Sequence, residues 1–219
     1  AHGTTVGTNA LIQRRGARVG LLMTRGFEDT LVLGRGPMAR NLGIPPSQAM
    51  DFIHTERPEP LVPKTLTRGV TERVAVDGEV IAPLAEAEAL AALEDFRAQG
   101  VESVAVCFLW SFRNAVHEDR VKALFEARAP ELLITLSSEV SPLMGEFERA
   151  TTTVVNAYIG PVLIGYVRDL QKALEELGFM RPVQLMKCSG GLTLPERVDR
   201  EAVALVNSGP VGGLVAARY

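Results

Sequence analysis

The chain has 219 residues, of which 47% are hydrophobic and 22% charged, and its formal net charge is −3 at neutral pH. That length admits one large domain or two small ones with a sizeable core, and the composition is that of an ordinary soluble globular protein. The small negative charge supplies no global positive field for nucleic acid or an anionic membrane, and no run of about 18 apolar residues announces a membrane-spanning helix.

The chain opens on Ala1-His2-Gly3-Thr4-Thr5, without an initiator methionine and without the basic start or apolar stretch of a signal peptide. We therefore expect a cytoplasmic segment that starts inside a longer protein. Residues 3–16 read as a Gly/Thr-rich loop followed by a short helix, and residues 17–24, apolar and closed by Arg25-Gly26, as a buried strand. From Phe27 to Pro63 no period holds. Glycines and prolines break it up, with a helical turn or two at most over 27–33. A long insert of this kind is often functional or ordered by a partner. Alternation through Val70, Glu72, Val74 and Val76, then Asp77-Gly78, then Val80-Ile81, predicts a hairpin over 69–82.

Residues 86–99 carry Ala87, Leu90, Ala91, Leu93 and Phe96 at helical spacing and stop at Gly100. A buried strand follows over 101–110. Asn114 caps a helix through His117, Val121, Leu124 and Phe125, and residues 132–136 form the next strand. Strands alternating with helices predict crossover units on a mainly parallel sheet. Residues 137–149 read as a polar loop, with Pro161 as the first residue of a long helix that Gly178 ends. A strand over 183–188 runs into Ser189-Gly190-Gly191, residues 195–206 are helical, and a last helix starts after Ser208. Cys107 and Cys188, each in an apolar run, read as two buried, reduced thiols and not as a zinc site.

Three clusters of small residues could carry chemistry: 2–9, Ser189-Gly190-Gly191 after a strand, and Ser208-Gly209-Pro210-Val211-Gly212-Gly213 before a helix. Glycine lets backbone approach a ligand, and a helix N-terminus offers free N–H groups to an anion. Taken singly, each cluster is as readily a turn or a close helix contact. His2 among Thr4, Thr5 and Thr8 is a candidate for substrate contact or acid–base work, or a hydrogen-bonded loop. His117, beside Glu118 and Asp119, reads as solvated, and Glu146, Glu148 and Arg149 as a charged loop at a sheet edge. Neither a phosphate loop ending in Gly-Lys-Ser/Thr nor a Gly-x-Gly-x-x-Gly fingerprint occurs, and no ligand spacing suggests a metal held by side chains of this chain.

In order along the chain, several patches resemble the hydantoinase A / 5-oxoprolinase family. They are His2-Gly3-Thr4-Thr5-Val6-Gly7-Thr8-Asn9, Thr24-Arg25-Gly26-Phe27-Glu28-Asp29, Glu146-Phe147-Glu148-Arg149, Thr152-Thr153-Val154-Val155-Asn156-Ala157-Tyr158, Ser189-Gly190-Gly191 and Ser208-Gly209-Pro210-Val211-Gly212-Gly213. The resemblance implies an α/β fold with a ribonuclease-H-like, actin-type ATPase mixed sheet flanked by helices. Residues 1–136 would form a first subdomain with an irregular insert at 27–67, and 137–219 a connection leading into a second. It implies ATP and Mg²⁺ as cofactors, and a small cyclic amide (hydantoin, N-methylhydantoin or 5-oxoproline) opened after phosphate activation. A B-type subunit and homo- or hetero-oligomers are expected partners. Acetone or acetophenone carboxylase subunits, or a non-catalytic ATP-binding scaffold, are the alternatives. By resemblance, Ser208, Gly209, Gly212, Gly213, Ser189, Gly190 and Gly191 face the nucleotide cleft, and His2, Gly3, Thr4, Thr5 and Asn9 its substrate side. The family's two Asp-x-Gly-Gly-Thr phosphate loops do not occur in these residues, so we expect the segment alone to be inactive.

Overall fold

The computed structural model describes residues 1–34 and 59–217. Helix α1 (Val6–Ile12) leads into strand β1 (Val19–Thr24), and α2 (Thr30–Leu33) follows. After a 3₁₀ turn come β2 (Thr67–Val70), β3 (Arg73–Val74) and β4 (Val80–Ala82). Then α3 (Glu86–Ala98), β5 (Ser103–Cys107), α4 (Val116–Arg128) and β6 (Leu133–Leu136) alternate as the periodicity predicts. The remaining elements are α5 (Ser137–Val140), α6 (Glu146–Glu176), β7 (Leu185–Met186), β8 (Leu192–Thr193), α7 (Val198–Glu201) and α8 (Ser208–Ala216).

The main sheet has the order β2-β1-β5-β6, and all its pairs are parallel. Every residue of β1 and of β5 is buried, the continuous apolar run expected of a strand covered on both faces. Helices α3 and α4 pack on one another and on β1, β2 and β6, and α6 lies across β5, β6 and β1. Leu21, Leu22, Phe96, Phe125 and Leu163 are fully enclosed, each worth about 1.5–3 kcal/mol of burial.

The mixed sheet expected is thus parallel in its main body, and among the described residues antiparallel pairing is confined to β3–β4 and β7–β8. The hairpin at Asp77-Gly78 forms, but the alternating stretch before it is not one strand. Its first half joins the parallel sheet, with Val70 beside Thr24, and the chain breaks at Glu72, whose buried carboxylate turns inward to find partners. The insert expected at 27–67 falls largely on residues 35–58, outside the described residues, but its last residue, Thr67, starts β2.

Pro161 does not open a helix: it lies inside α6, which already begins at Glu146. Gly145, at φ 115°, ends the preceding loop, and Glu146 and Glu148 suit the first turn's dipole. Thr152 and Thr153 donate their hydroxyls to the carbonyls of Glu148 and Arg149, both at 2.7 Å, one turn back in the helix. By length and composition α6 could cross a membrane, yet more than half of its most apolar stretch is buried within the fold. At its far end Gly178, at φ 84°, closes a Schellman turn. Phe179 N–H donates to Leu174 O at 2.9 Å and Gly178 N–H to Glu175 O at 2.9 Å. The strand expected over 183–188 shortens to β7, and the helix expected over 195–206 is α7 between two 3₁₀ turns.

Candidate functional site

Residues 1–3 run alongside β7, joined to the two-stranded β7–β8 hairpin by one isolated bridge at His2. His2 N–H donates to Gln184 O at 2.7 Å and Met186 N–H to His2 O at 2.9 Å, a parallel bridge between His2 and Leu185. Side chains alternate along an extended segment. Ala1 and Gly3 accordingly face one side. The His2 ring faces the other, where its Nε2 meets the Tyr166 hydroxyl of α6 at 2.7 Å.

Thr4 then turns the chain into α1. Its hydroxyl oxygen accepts the Val6 N–H at 3.2 Å, and its backbone is gripped from the far end of the sequence. Thr4 N–H donates to Ser208 Oγ, and the same hydroxyl donates to Thr4 O, both at 3.2 Å. Thr8 Oγ1 accepts the N–H of Asn207, which sits in the left-handed conformation at the start of α8. A Cβ at Gly3 would lie 3.2 Å from Gly209 Cα and 3.2 Å from Ser208 O, so a larger residue here would require the two backbones to move apart by a few tenths of an ångström.

The two ends of the chain thereby enclose an open cleft of about 400 Å³, lined by Ala1, Gly3, Met186, Gly209, Gly212, Val215 and Ala216. Among the described residues no charged side chain lines it. Its wall is backbone and small apolar groups, suited to close contact with a ligand and not to neutralising a charge. The Ser189–Gly191 turn joins β7 to β8 and leans on α8: a Cβ at Gly190 would lie 3.7 Å from Val215 Cγ2. Lys187 N–H donates to Gly191 O at 2.8 Å to close that turn, and the lysine ammonium pairs with Glu201 at 3.5 Å.

Three clusters far apart in sequence therefore meet. Gly3, Gly209 and Gly212 line the cleft, Thr4 and Ser208 bind the wall together from behind, and Gly190 braces α8. Ser189, Gly191 and Gly213 are exposed and do not line it. Thr5 and Asn9 are also exposed, with Asn9 Nδ2 donating to Thr5 Oγ1 at 3.4 Å. Met186, Val215 and Tyr166 had no signal in the sequence, since each is an apolar or aromatic residue inside a regular element.

The C-terminal edge of the main sheet holds a second polar group, and it is sealed. His117, expected to be solvated, is buried: its Nδ1 pairs with Glu72 at 2.8 Å, and Glu72 also accepts the Thr24 hydroxyl. Glu118 is fully enclosed and accepts from Phe108 N–H at 2.9 Å, Ser137 Oγ at 2.6 Å, and Ser138 N–H and Oγ at 2.9 and 2.7 Å. Arg149 is likewise buried in α6, donates to Phe108 O, and lies over the Phe112 ring. Burial pushes the neighbouring Cys107 thiol up to about 11, against a smaller opposing pull from Arg149. Cys188, also expected to be buried, is exposed. The bonds among these groups tie the ends of β1, β2, β5 and β6, while the buried Arg149 Nε has no hydrogen-bond partner. They form a clasp with no open face for a ligand.

Family models agree with this chain over two stretches: the hydantoinase/oxoprolinase N-terminal region over residues 1–128 and hydantoinase/oxoprolinase over residues 149–219. Caprolactamase subunit alpha of Pseudomonas jessenii is 40% identical over 214 residues, 95% of this chain and 29% of the relative. The crystal structure of that ATP-dependent caprolactamase superposes with a TM-score of 0.78 at 37% identity, over 95% of this chain and 29% of that one. A nucleotide-free acetone carboxylase structure superposes with a TM-score of 0.84 at 29% identity, over 99% of this chain and 31% of that one. 5-oxoprolinase 1 of Arabidopsis thaliana is 31% identical over 233 residues, 97% of this chain and 17% of the relative. The chain spans less than a third of the length of each.

Proposed function

Because this chain belongs to the hydantoinase/oxoprolinase family, we propose that it is part of an ATP-dependent enzyme that opens a cyclic amide. The observation that carries this reading is one cleft lined by Gly3, Gly209 and Gly212, its wall held by the Thr4–Ser208 bonds and braced by Gly190, in a chain similar to an ATP-dependent caprolactamase. In this reading the whole protein moves the γ-phosphoryl group of ATP onto the carbonyl oxygen of a lactam, hydantoin or oxoproline ring. ADP leaves, water adds at the activated carbon, the ring C–N bond breaks as the nitrogen takes a proton to leave an acyl phosphate, and a second water releases phosphate and the carboxylate. Stabilising charge on the transferred group is the main demand of such chemistry. The cleft described above has no charged lining, so Mg²⁺ and the counter-charges for phosphate come from residues elsewhere in the whole protein. This segment contributes shape: glycine backbone that a ligand can approach closely, held in place by the Thr4–Ser208 bonds.

We read the parallel sheet as the ribonuclease-H-like core of an actin-type ATPase, with residues 137–219 leading into its second subdomain. A partner subunit is part of the proposal, since the caprolactamase relative is named as an alpha subunit. A second reading, an ATP-dependent ketone carboxylase subunit, is favoured by the TM-score of 0.84 with acetone carboxylase.

ATP hydrolysis by the whole protein with its partner subunit separates the two. Stimulation by caprolactam, hydantoin or 5-oxoproline without bicarbonate supports the hydrolase. Stimulation by acetone or acetophenone, dependent on bicarbonate, would replace it with the carboxylase. Turnover indifferent to both sets would overturn both.

A further inference from the structure

We propose that His2 and Tyr166 form a latch that positions the wall of the cleft, with His2 acting through its hydrogen bond and not through proton transfer to a ligand. The proposal rests on the reading of the cleft as a ligand site of the ATP-dependent enzyme. Alternation along the extended segment points the His2 ring away from the side where Ala1 and Gly3 line the cleft. Its Nε2 is engaged by the Tyr166 hydroxyl at 2.7 Å, and the rings lie 5.8 Å apart. Tyr166 itself stands on firm ground, next to the buried Val167 and one turn from the fully buried Leu163 on α6.

The backbone of His2 is equally committed, with its N–H bonded to Gln184 just before β7 and its carbonyl to Met186 in β7. The residue is therefore fixed on two sides, and the next residue is Gly3, packed closely against Gly209 and Ser208. A small displacement of His2 passes directly into the cleft wall. Tyr166 is thus a positioning residue that acts through His2. The two phenolic and imidazole groups need only one hydrogen bond between them, which an amide at the same reach also supplies.

The test uses the whole protein and the lactam-dependent ATP turnover described above, with variants Tyr166→Phe, His2→Ala, His2→Gln and the double variant Tyr166→Phe/His2→Ala. The latch predicts that Tyr166→Phe and His2→Ala each raise KM about three- to tenfold with kcat little changed, the scale of one neutral hydrogen bond. The double variant should be no worse than the worse single, because both remove the same bond. His2→Gln should stay close to the parent and keep its pH profile. A drop in kcat in His2→Gln with loss of one limb of the pH profile would assign His2 to acid–base work and overturn the latch. An unchanged KM in Tyr166→Phe would overturn it as well. If the parent shows no substrate-dependent turnover, the proposed activity fails while the latch is still read from amide exchange at Met186, whose N–H bonds to His2 O. Faster exchange in Tyr166→Phe supports the latch, and equal exchange rejects it.

Discussion

A methyl group at Gly3 would meet main-chain atoms, Gly209 Cα and Ser208 O, both at 3.2 Å, and main chain yields less readily than the end of a side chain. We expect Gly3→Ala to cost about 1–3 kcal/mol through this overpacking, measured by urea denaturation. Cys107 makes a pH-dependent prediction. Its thiol ionises near 11 when folded, above the ordinary thiol value of 9.0, because burial disfavours the thiolate. The unfolded chain therefore loses that proton first as pH rises. Stability from this group is complete below about pH 9 and falls by about 2–3 kcal/mol as pH climbs to about 11. Denaturation curves of the parent should show that fall, and those of Cys107→Ala should lack it. Under native conditions at pH 8, iodoacetamide should modify the exposed Cys188 and spare Cys107.

Helix α6 organises the fold, since it touches α1, three strands of the sheet and α7. It also carries a flaw, because Pro161 has no N–H for the carbonyl one turn earlier and its ring crowds that carbonyl. Pro161→Ala should raise the thermal midpoint, with a gain of about 1–3 kcal/mol at most. A lower midpoint would mean that the helix path set by the proline is needed for packing. The same helix marks where sequence patterns stop being informative. Strands β1, β5 and β6 and helices α3 and α4 are legible because their apolar period and their stop residues agree. The start of α6 is not, because Glu146, Thr151 and Thr152 are polar, and proline usually stands at a helix start. What decides the case is tertiary packing, since the helix that begins after Gly145 lies across β5, β6 and β1. The break at Glu72 is equally hidden, since alternation through Val70, Glu72 and Val74 looks like one strand until the carboxylate finds His117.

At the scale of the whole molecule, residues near the two ends of the sequence hold each other. The glycine clusters are visible as composition, yet nothing local says that they meet, because Thr4 and Ser208 stand 204 residues apart. His117 was misplaced for the same reason: its neighbours in sequence are acidic and polar, while its neighbour in space is a buried glutamate. Removing residues 1–5 should leave the parallel sheet folded and release α8 and the β7–β8 hairpin. Hydrogen exchange would then rise at Met186 and Asn207 and stay slow at Leu21 and Val106. Uniformly faster exchange, or none, would refute that division.

The pairing of Thr4 with Ser208 also sets a clock during synthesis. A ribosome adds about 5–20 residues per second, so Thr4 waits about 10–40 s before its partner exists. Through that interval the Thr4 backbone lacks its Ser208 partner. A nascent chain built this way depends on the early sheet, or on a chaperone, to keep residues 1–5 out of foreign contacts until translation catches up.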